Sequence, residues 1–201
     1  SLCFPSLQVN SRMFLPPAFV LTKGVGAFLI GAMKYEISKI RRKDRALDEP
    51  SALEILSSAE YGVLSLADIS ASDGAPAAYG VPLDFVFDGS RGCIYFHCAK
   101  AGRKLDCLRN SPSASFCVVG KTRILPEKFS TEYESVIAEC RAVVVSDARE
   151  RAEALEMLVE KYSPEHVQKG LEYIAAAAER TEVVRLEILE FSGKSRRGRA
   201  V

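Results

Sequence analysis

The stretch His97-Cys98-Ala99-Lys100-Ala101-Gly102-Arg103-Lys104-Leu105-Asp106 hands a period-two run, Cys93 to His97, over to a helical one, Gly102 to Asn110, through small residues. A helix start offers unpaired backbone N–H groups and a partial positive charge. Gly102 lets the backbone approach a ligand closely, and Arg103 and Lys104 supply charge-assisted hydrogen bonds, so the segment is suited to holding a phosphate. The blander alternative is a cationic pair on a solvated helix face. Taken alone, the segment leaves both open.

Outward from this junction the chain reads as strands joined by short turns. Upstream, Gly62 to Leu66 alternates, Ser70 to Gly74 turns, Ala77 to Leu83 returns, and Phe85-Val86-Phe87 with a turn at Asp88-Gly89 forms a hairpin with Cys93 to His97. Downstream come Ser115 to Lys121, a long run from Glu134 to Val145, and a last alternation from Glu182 to Phe191. Helices are expected after Asp48, with that residue as cap and Pro50 in the first turn, over Ala148 to Tyr162, and over Glu165 to Glu179. Ala152, Leu155, Leu158 and Val159 form the apolar face of the helix that Pro164 ends. The pattern predicts an α+β fold with about six antiparallel strands in a barrel-like sheet, with no internal repeat and no second domain.

Composition sets the class of partner. The 201 residues carry 27 Lys+Arg and 26 Asp+Glu, a formal net charge of +1, with 48% hydrophobic residues. That balance argues against a broad polyanion surface, and neither nucleic acid nor membrane is expected as a partner. Residues 1–32 hold Arg12 and Lys23 and no acid, leaving 25 basic and 26 acidic side chains in the rest. The apolar run Ala18 to Ala32 is short for a membrane span and is interrupted by Lys23 and glycines. From Met13 it has features of a signal peptide, but it reads better as an extension ahead of a natural start at Met33. The expected organisation is therefore an extension over 1–32, a domain over 33–194 and a basic, solvated tail over 195–201. Six cysteines without a CxxC pair fit no zinc motif and point to reduced thiols in a cytoplasmic protein. His97-Cys98 is a poor metal pair, since neighbours on a strand face opposite ways, and no metal site is expected.

Two further stretches carry chemistry. Pro82 within Tyr79-Gly80-Val81-Pro82-Leu83 removes a ladder donor, which marks either a protected edge or an irregular strand whose backbone can face a planar ring. Phe129, in the polar run Pro126 to Thr131, is a candidate lid or interface residue, with core anchoring as the alternative. No nucleophile elbow, Walker loop or dinucleotide fingerprint occurs. With His97 and His166 as the only histidines, a triad hydrolase has no support.

Tyr61 to Ser65, Gly80 to Leu83, Tyr95 to Ala99, Gly102 to Asp106 and Phe116 to Gly120 stand in an order and spacing that resembles the pyridoxamine 5'-phosphate oxidase-like flavoproteins. The nitroimidazole-resistance branch also shows a loop like Leu125 to Thr131. The resemblance spans about Ile40 to Lys194 and implies a six-stranded antiparallel Greek-key split β-barrel with flanking helices. It further implies bound FMN, with haem as the lesser alternative, in a homodimer with two flavin sites at the subunit interface. By position, Val81, Pro82 and Leu83 would line the flavin ring, and His97, Ala99, Gly102, Arg103 and Lys104 would surround the phosphate. Lys121 would approach from the next strand, and Phe129 and Thr131 would reach the partner's flavin. His97 is the candidate catalytic residue. The chain lacks Trp and ends its match in Ser192-Gly193-Lys194-Ser195-Arg196-Arg197, so vitamin B6 oxidation is not expected. The reading is a reductase passing electrons from a nicotinamide or other donor to a small acceptor such as a nitroaromatic. A non-catalytic carrier or sensor of flavin or haem is the alternative, and an interaction module using the basic tail a weaker one.

Overall fold

The computed structural model describes residues 33–70, 75–177 and 180–196. The expected extension over 1–32, most of the turn over 70–74 and the last five residues lie outside these. Eight strands form one sheet: β1 (Lys34–Tyr35), β2 (Tyr61–Asp68), β3 (Ala77–Asp84), β4 (Val86–Asp88), β5 (Cys93–Ala99), β6 (Ser113–Leu125), β7 (Ser130–Val144) and β8 (Thr181–Arg196). Helices α1 (Glu49–Ser58), α2 (Arg103–Asn110), α3 (Ala148–Tyr162) and α4 (Val167–Ala177) flank it.

The sheet runs β3-β2-β6-β7-β8-β5-β4, antiparallel throughout this path, with β1 added in parallel on β8. The α+β class and antiparallel sheet are as expected. Among the described residues the strand number is eight rather than six, because Lys34–Tyr35 is too short to show a period and the three-residue β4, paired with β5 as the expected hairpin, counts as a strand of its own. β3 and β5, far apart in this order, nevertheless approach each other across the gap. That gap is the split in the barrel.

Alternation builds the interior. β2 places Leu64, Leu66 and Asp68 inward, where Phe96, Phe116, Val118, Val136, Ala138 and Phe191 are also buried. Gly62 leaves room for the core here: a Cβ would overlap the buried Phe116 ring, which would have to move. α1 adds Ala52, Ile55 and Leu56 to the same core. A second, smaller cluster lies on the other face of β5 and β8, where α3 packs Ala154, Leu155 and Leu158 onto Tyr95 and Val183.

α3 has the bounds expected, but Ala154 rather than Ala152 takes the buried position. The Asp147 carboxylate caps it by accepting from the Glu150 N–H at 2.7 Å. Asp147→Ala is expected to lower stability by about 1 kcal/mol, as for other cap removals, and a urea titration measures it.

β6 and β7 extend beyond the expected runs and pair out to Leu125 and Ser130, with a register shift between Val119 and Thr122. The stretch expected as a loop is thus a hairpin arm. β8 likewise continues through Ser195 and Arg196, which pair with Glu134 and Tyr133, so those two residues of the expected tail belong to the sheet.

Candidate functional site

α2 starts at the split. Gly102 precedes it at φ +128°, a conformation that favours glycine, and no side chain caps the helix. A Cβ at Gly102 would meet nothing within 4 Å, so the space beside the helix start, whose first-turn N–H groups have no partner within the helix, is open. This is the cradle that an anion needs.

The two cations behave differently. Arg103 donates from Nε to the Asp68 carboxylate at 2.7 Å and lies 4.3 Å from the centre of the Tyr79 ring. Asp68 is itself buried, at 8% exposure, and also accepts from the Ser70 N–H and hydroxyl. Arg103 is therefore aimed by β2 and β3 together. Lys104 is half-buried with Nζ 5.2 Å from the centre of the Phe96 ring, and makes no ion pair among the described residues. Its charge is available to a ligand.

The Ser70 hydroxyl and Arg103 hold the Asp68 carboxyl down at about 2. Because the folded value lies below the unfolded one, near 3.9, the stabilisation is fully present above that value and is lost as pH falls through about 2. Acid titration of Asp68→Asn against the parent is expected to show a smaller stability difference at pH 2 than at pH 6.

β3 closes the other side of the gap. It is the end strand of the sheet, so one row of its backbone groups is unpaired. Val81 and Leu83 turn inward against the core, and Gly80 and Pro82 are exposed. His97 and Ala99 lie exposed at the end of β5, beside Lys100 and the turn into α2.

The sequence-derived residues thus fall into two groups. Val81, Pro82, Leu83, His97, Ala99, Gly102, Arg103 and Lys104 lie around the split. Lys121, Phe129 and Thr131 lie on the β6–β7 arm. Lys121 is exposed beside the register shift, its N–H bonded to Glu134 Oε1 at 3.0 Å; Phe129 is 98% exposed at the arm's tip, with φ +44°. Sequence reasoning missed Asp68 and Tyr79 as site residues. Their link to Arg103 spans 35 positions in one case and 24 in the other, and no local pattern announces it.

A large cleft, about 1050 Å³, lies elsewhere, bounded by Gly92, Cys93, Arg141, Glu150, Arg185 and Leu189 among others. Its guanidinium groups are engaged: Arg185 with Glu150 and Glu187, Arg141 with Glu187, Arg91 and Arg149 with Glu153. It lacks the uncompensated charge found at α2.

A family model described as pyridoxamine 5'-phosphate oxidase matches residues 48–195. Among solved structures, the chain is similar to a flavocytochrome of Azotobacter vinelandii, at 25% identity and TM-score 0.60 over 79% of this chain and 72% of that one. It is also similar to a candidate 5-nitroimidazole antibiotic resistance protein of Bacteroides thetaiotaomicron (17%, TM-score 0.57, 75% and 86%). A FAD and haem binding protein of Mycobacterium smegmatis (19%, TM-score 0.57, 75% and 72%) has the same fold. No curated protein matches the sequence.

Proposed function

Because the chain belongs to the pyridoxamine 5'-phosphate oxidase family, we propose that it holds FMN by its phosphate at the start of α2 and reduces a small acceptor such as a nitroaromatic. The observation that carries this reading is the uncapped helix start behind Gly102, open to a ligand and flanked by Arg103 and Lys104. The residues fit the group: a dianionic phosphate meets N–H groups, one aimed guanidinium and one unpaired ammonium. The open edge of β3, with half-buried Val81 and Leu83, offers a planar ring both backbone polar groups and an apolar face.

When bound, the flavin supplies the redox chemistry, accepting and delivering electrons at its ring. The chain's own work is to hold and to exclude. Asp68 fixes Arg103, Lys104 neutralises charge, β3 sets the ring's height, and His97 offers an exposed imidazole as a positioning or proton-donating group. The electron donor in this reading is a nicotinamide or another donor.

The functional unit in this reading is a homodimer with its flavin sites at the interface. A row of side chains on the outer face, Pro82, Val63, Cys117 and Ile137, runs across four paired strands. Ile137 is 50% and neighbouring Val119 54% exposed, and the row ends on β3. A second copy there would cover apolar surface and wall the flavin strand at once, bringing the arm with Phe129 and Thr131 to the partner's site. The five described cysteines are free thiols, in keeping with a cytoplasmic protein. Among the described residues, no helix is long and apolar enough to cross a membrane.

The test is spectroscopic. Purified protein is expected to show flavin absorption that bleaches anaerobically with NADH or NADPH and recovers when a nitroaromatic is added. Flavin bands without such turnover would favour a carrier, and a Soret band a haem protein. A colourless chain that takes up neither group would sink the proposal.

A further inference from the structure

The fold sorts the charges of this chain. Residues 48–191 carry 24 Asp+Glu against 15 Lys+Arg, whereas residues 33–47 carry six Lys+Arg against two acids, and residues 192–201 four against none. The two basic stretches flank the domain in sequence, and β8 brings them together. β1 pairs Lys34 with Glu190 and Tyr35 with Phe191, the Glu36 N–H donates to the Phe191 carbonyl, Ala46 bridges to Lys194, and the Leu47 N–H donates to the Gly193 carbonyl. Between these anchors Arg42 to Ala46 close one 3₁₀ turn, roughly 8 Å long at about 2 Å per residue. That is comparable with the reach of a charge through physiological salt, about 8 Å, so the turn and the end of β8 act as one patch.

Part of this charge is matched within the fold. Lys34 pairs with Glu36, Lys39 with Glu139 and Glu190, and Arg42 with Asp44. Lys43 donates to the Ile37 and Ser38 carbonyls, which leave its charge uncompensated. Arg41, Arg45, Lys194 and Arg196 make no ion pair among the described residues, and Arg41, Lys43 and Arg196 are exposed. Glu132, Glu134 and Asp48, the acids nearest in register or in the chain, are engaged with Arg123, the Lys121 N–H and the Ser51 N–H.

The partner of such a patch is polyanionic, and the surroundings select its kind. Single-stranded nucleic acid is held by stacking its bases on exposed rings. Among the described residues the exposed rings are Tyr61, Phe129, Tyr162 and Tyr173, none of them in the patch. An anionic bilayer asks only for cations near its headgroups and some apolar insertion. Ile37, 40% exposed, lies among these cations, and the acid-free residues 1–32, with Phe19, Val20, Leu21, Phe28, Leu29 and Ile30, directly precede Met33 in the chain.

We propose that residues 36–46 and the end of β8 form a docking surface for an anionic lipid bilayer. The near-neutral total conceals this surface, because the acidic body offsets it. Repulsion between that body and the lipid headgroups also orients the protein, patch inward. Flavin binding plays no part in the inference.

The experiment sediments the full-length protein with phosphatidylcholine vesicles, either pure or containing about 30% phosphatidylserine, at about 0.1 M KCl. Binding to the mixed vesicles alone is expected. Each cation near an anionic leaflet contributes roughly fivefold, so Arg41→Glu with Arg196→Glu is expected to weaken that binding by roughly twentyfold or more at unchanged melting temperature. If this pair lowers the melting temperature, Arg41→Gln with Arg196→Gln carries the same test. Absence of binding, equal binding to both vesicles, or affinity retained in the charge variants overturns the proposal. Tighter binding of polyuridylic acid at equal phosphate concentration, lost in the same variants, assigns the patch to nucleic acid and overturns it likewise.

Discussion

Lys104→Ala is expected to weaken FMN binding roughly 10- to 100-fold, the range that corresponds to losing one hydrogen bond to a charged group, about 1.5–3 kcal/mol. The ammonium is the cation at the α2 start with no ion-pair partner among the described residues, so its loss falls on the ligand rather than on another side chain. Its contact with the fold is the Phe96 ring at 5.2 Å, and such contacts at partly exposed positions are worth only about 0.5–1 kcal/mol. Binding and folding should therefore separate: flavin fluorescence titration moves by one to two decades while the denaturation midpoint moves little. Riboflavin sharpens the result, because it lacks the phosphate. Its affinity should be nearly equal in the parent and in Lys104→Ala. If riboflavin and FMN weaken alike, Lys104 acts on the ring or on the fold, and the phosphate assignment fails.

Arg103 makes the contrasting case. Its Nε is committed to Asp68 and its plane to Tyr79, so it enters the site already oriented. The sequence places both cations at the same helix start, and from that pattern they look equivalent. What separates them is a pair of contacts from β2 and β3, made across the split. Composition and spacing carry no record of such contacts. The start of α2 was legible because its requirements are local: a residue able to take φ +128°, cations in the first turn, and a strand before it.

The same division runs through the fold. α3 matches its expected bounds because an N-cap Asp147 and a terminating Pro164 fix its ends locally. Between Lys121 and Glu134 the sequence reads as a loop, because Arg123, Glu127 and Lys128 break any apolar alternation. Backbone pairing needs no apolar alternation, and past the register shift between Val119 and Thr122 β6 and β7 go on pairing to Leu125 and Ser130. On α3, Leu155 and Leu158 of the expected face are buried, but Ala154 takes the place expected of Ala152, for a related reason. Ala152 and Ala154 are alike in the sequence, and only the position of Tyr95 and Val183 beneath the helix decides which is covered.

Ile137→Asp is expected to convert a dimer to a monomer and to lower flavin affinity with it. Directly opposed residues on paired strands share a face, so Ile137 stands in one row with Cys117, Val63 and Pro82. Half of the Ile137 side chain is exposed in the single chain, so a carboxylate there is hydrated and costs the monomer no more than about 1 kcal/mol of strand preference. Between two copies the same carboxylate would be desolvated opposite apolar surface, near its symmetry mate if the axis passes through the row. Specific dimers bury about 800 Å² per partner, and a charge at the desolvated centre of such a patch weakens association more than the loss of a rim contact does. Sedimentation at micromolar concentration reads the change in mass, and circular dichroism shows that the sheet persists. The row ends on Pro82, within the strand assigned to the flavin ring, so dissociation also removes a wall of the site. A flavin affinity that survives complete dissociation would mean that each subunit builds its site alone.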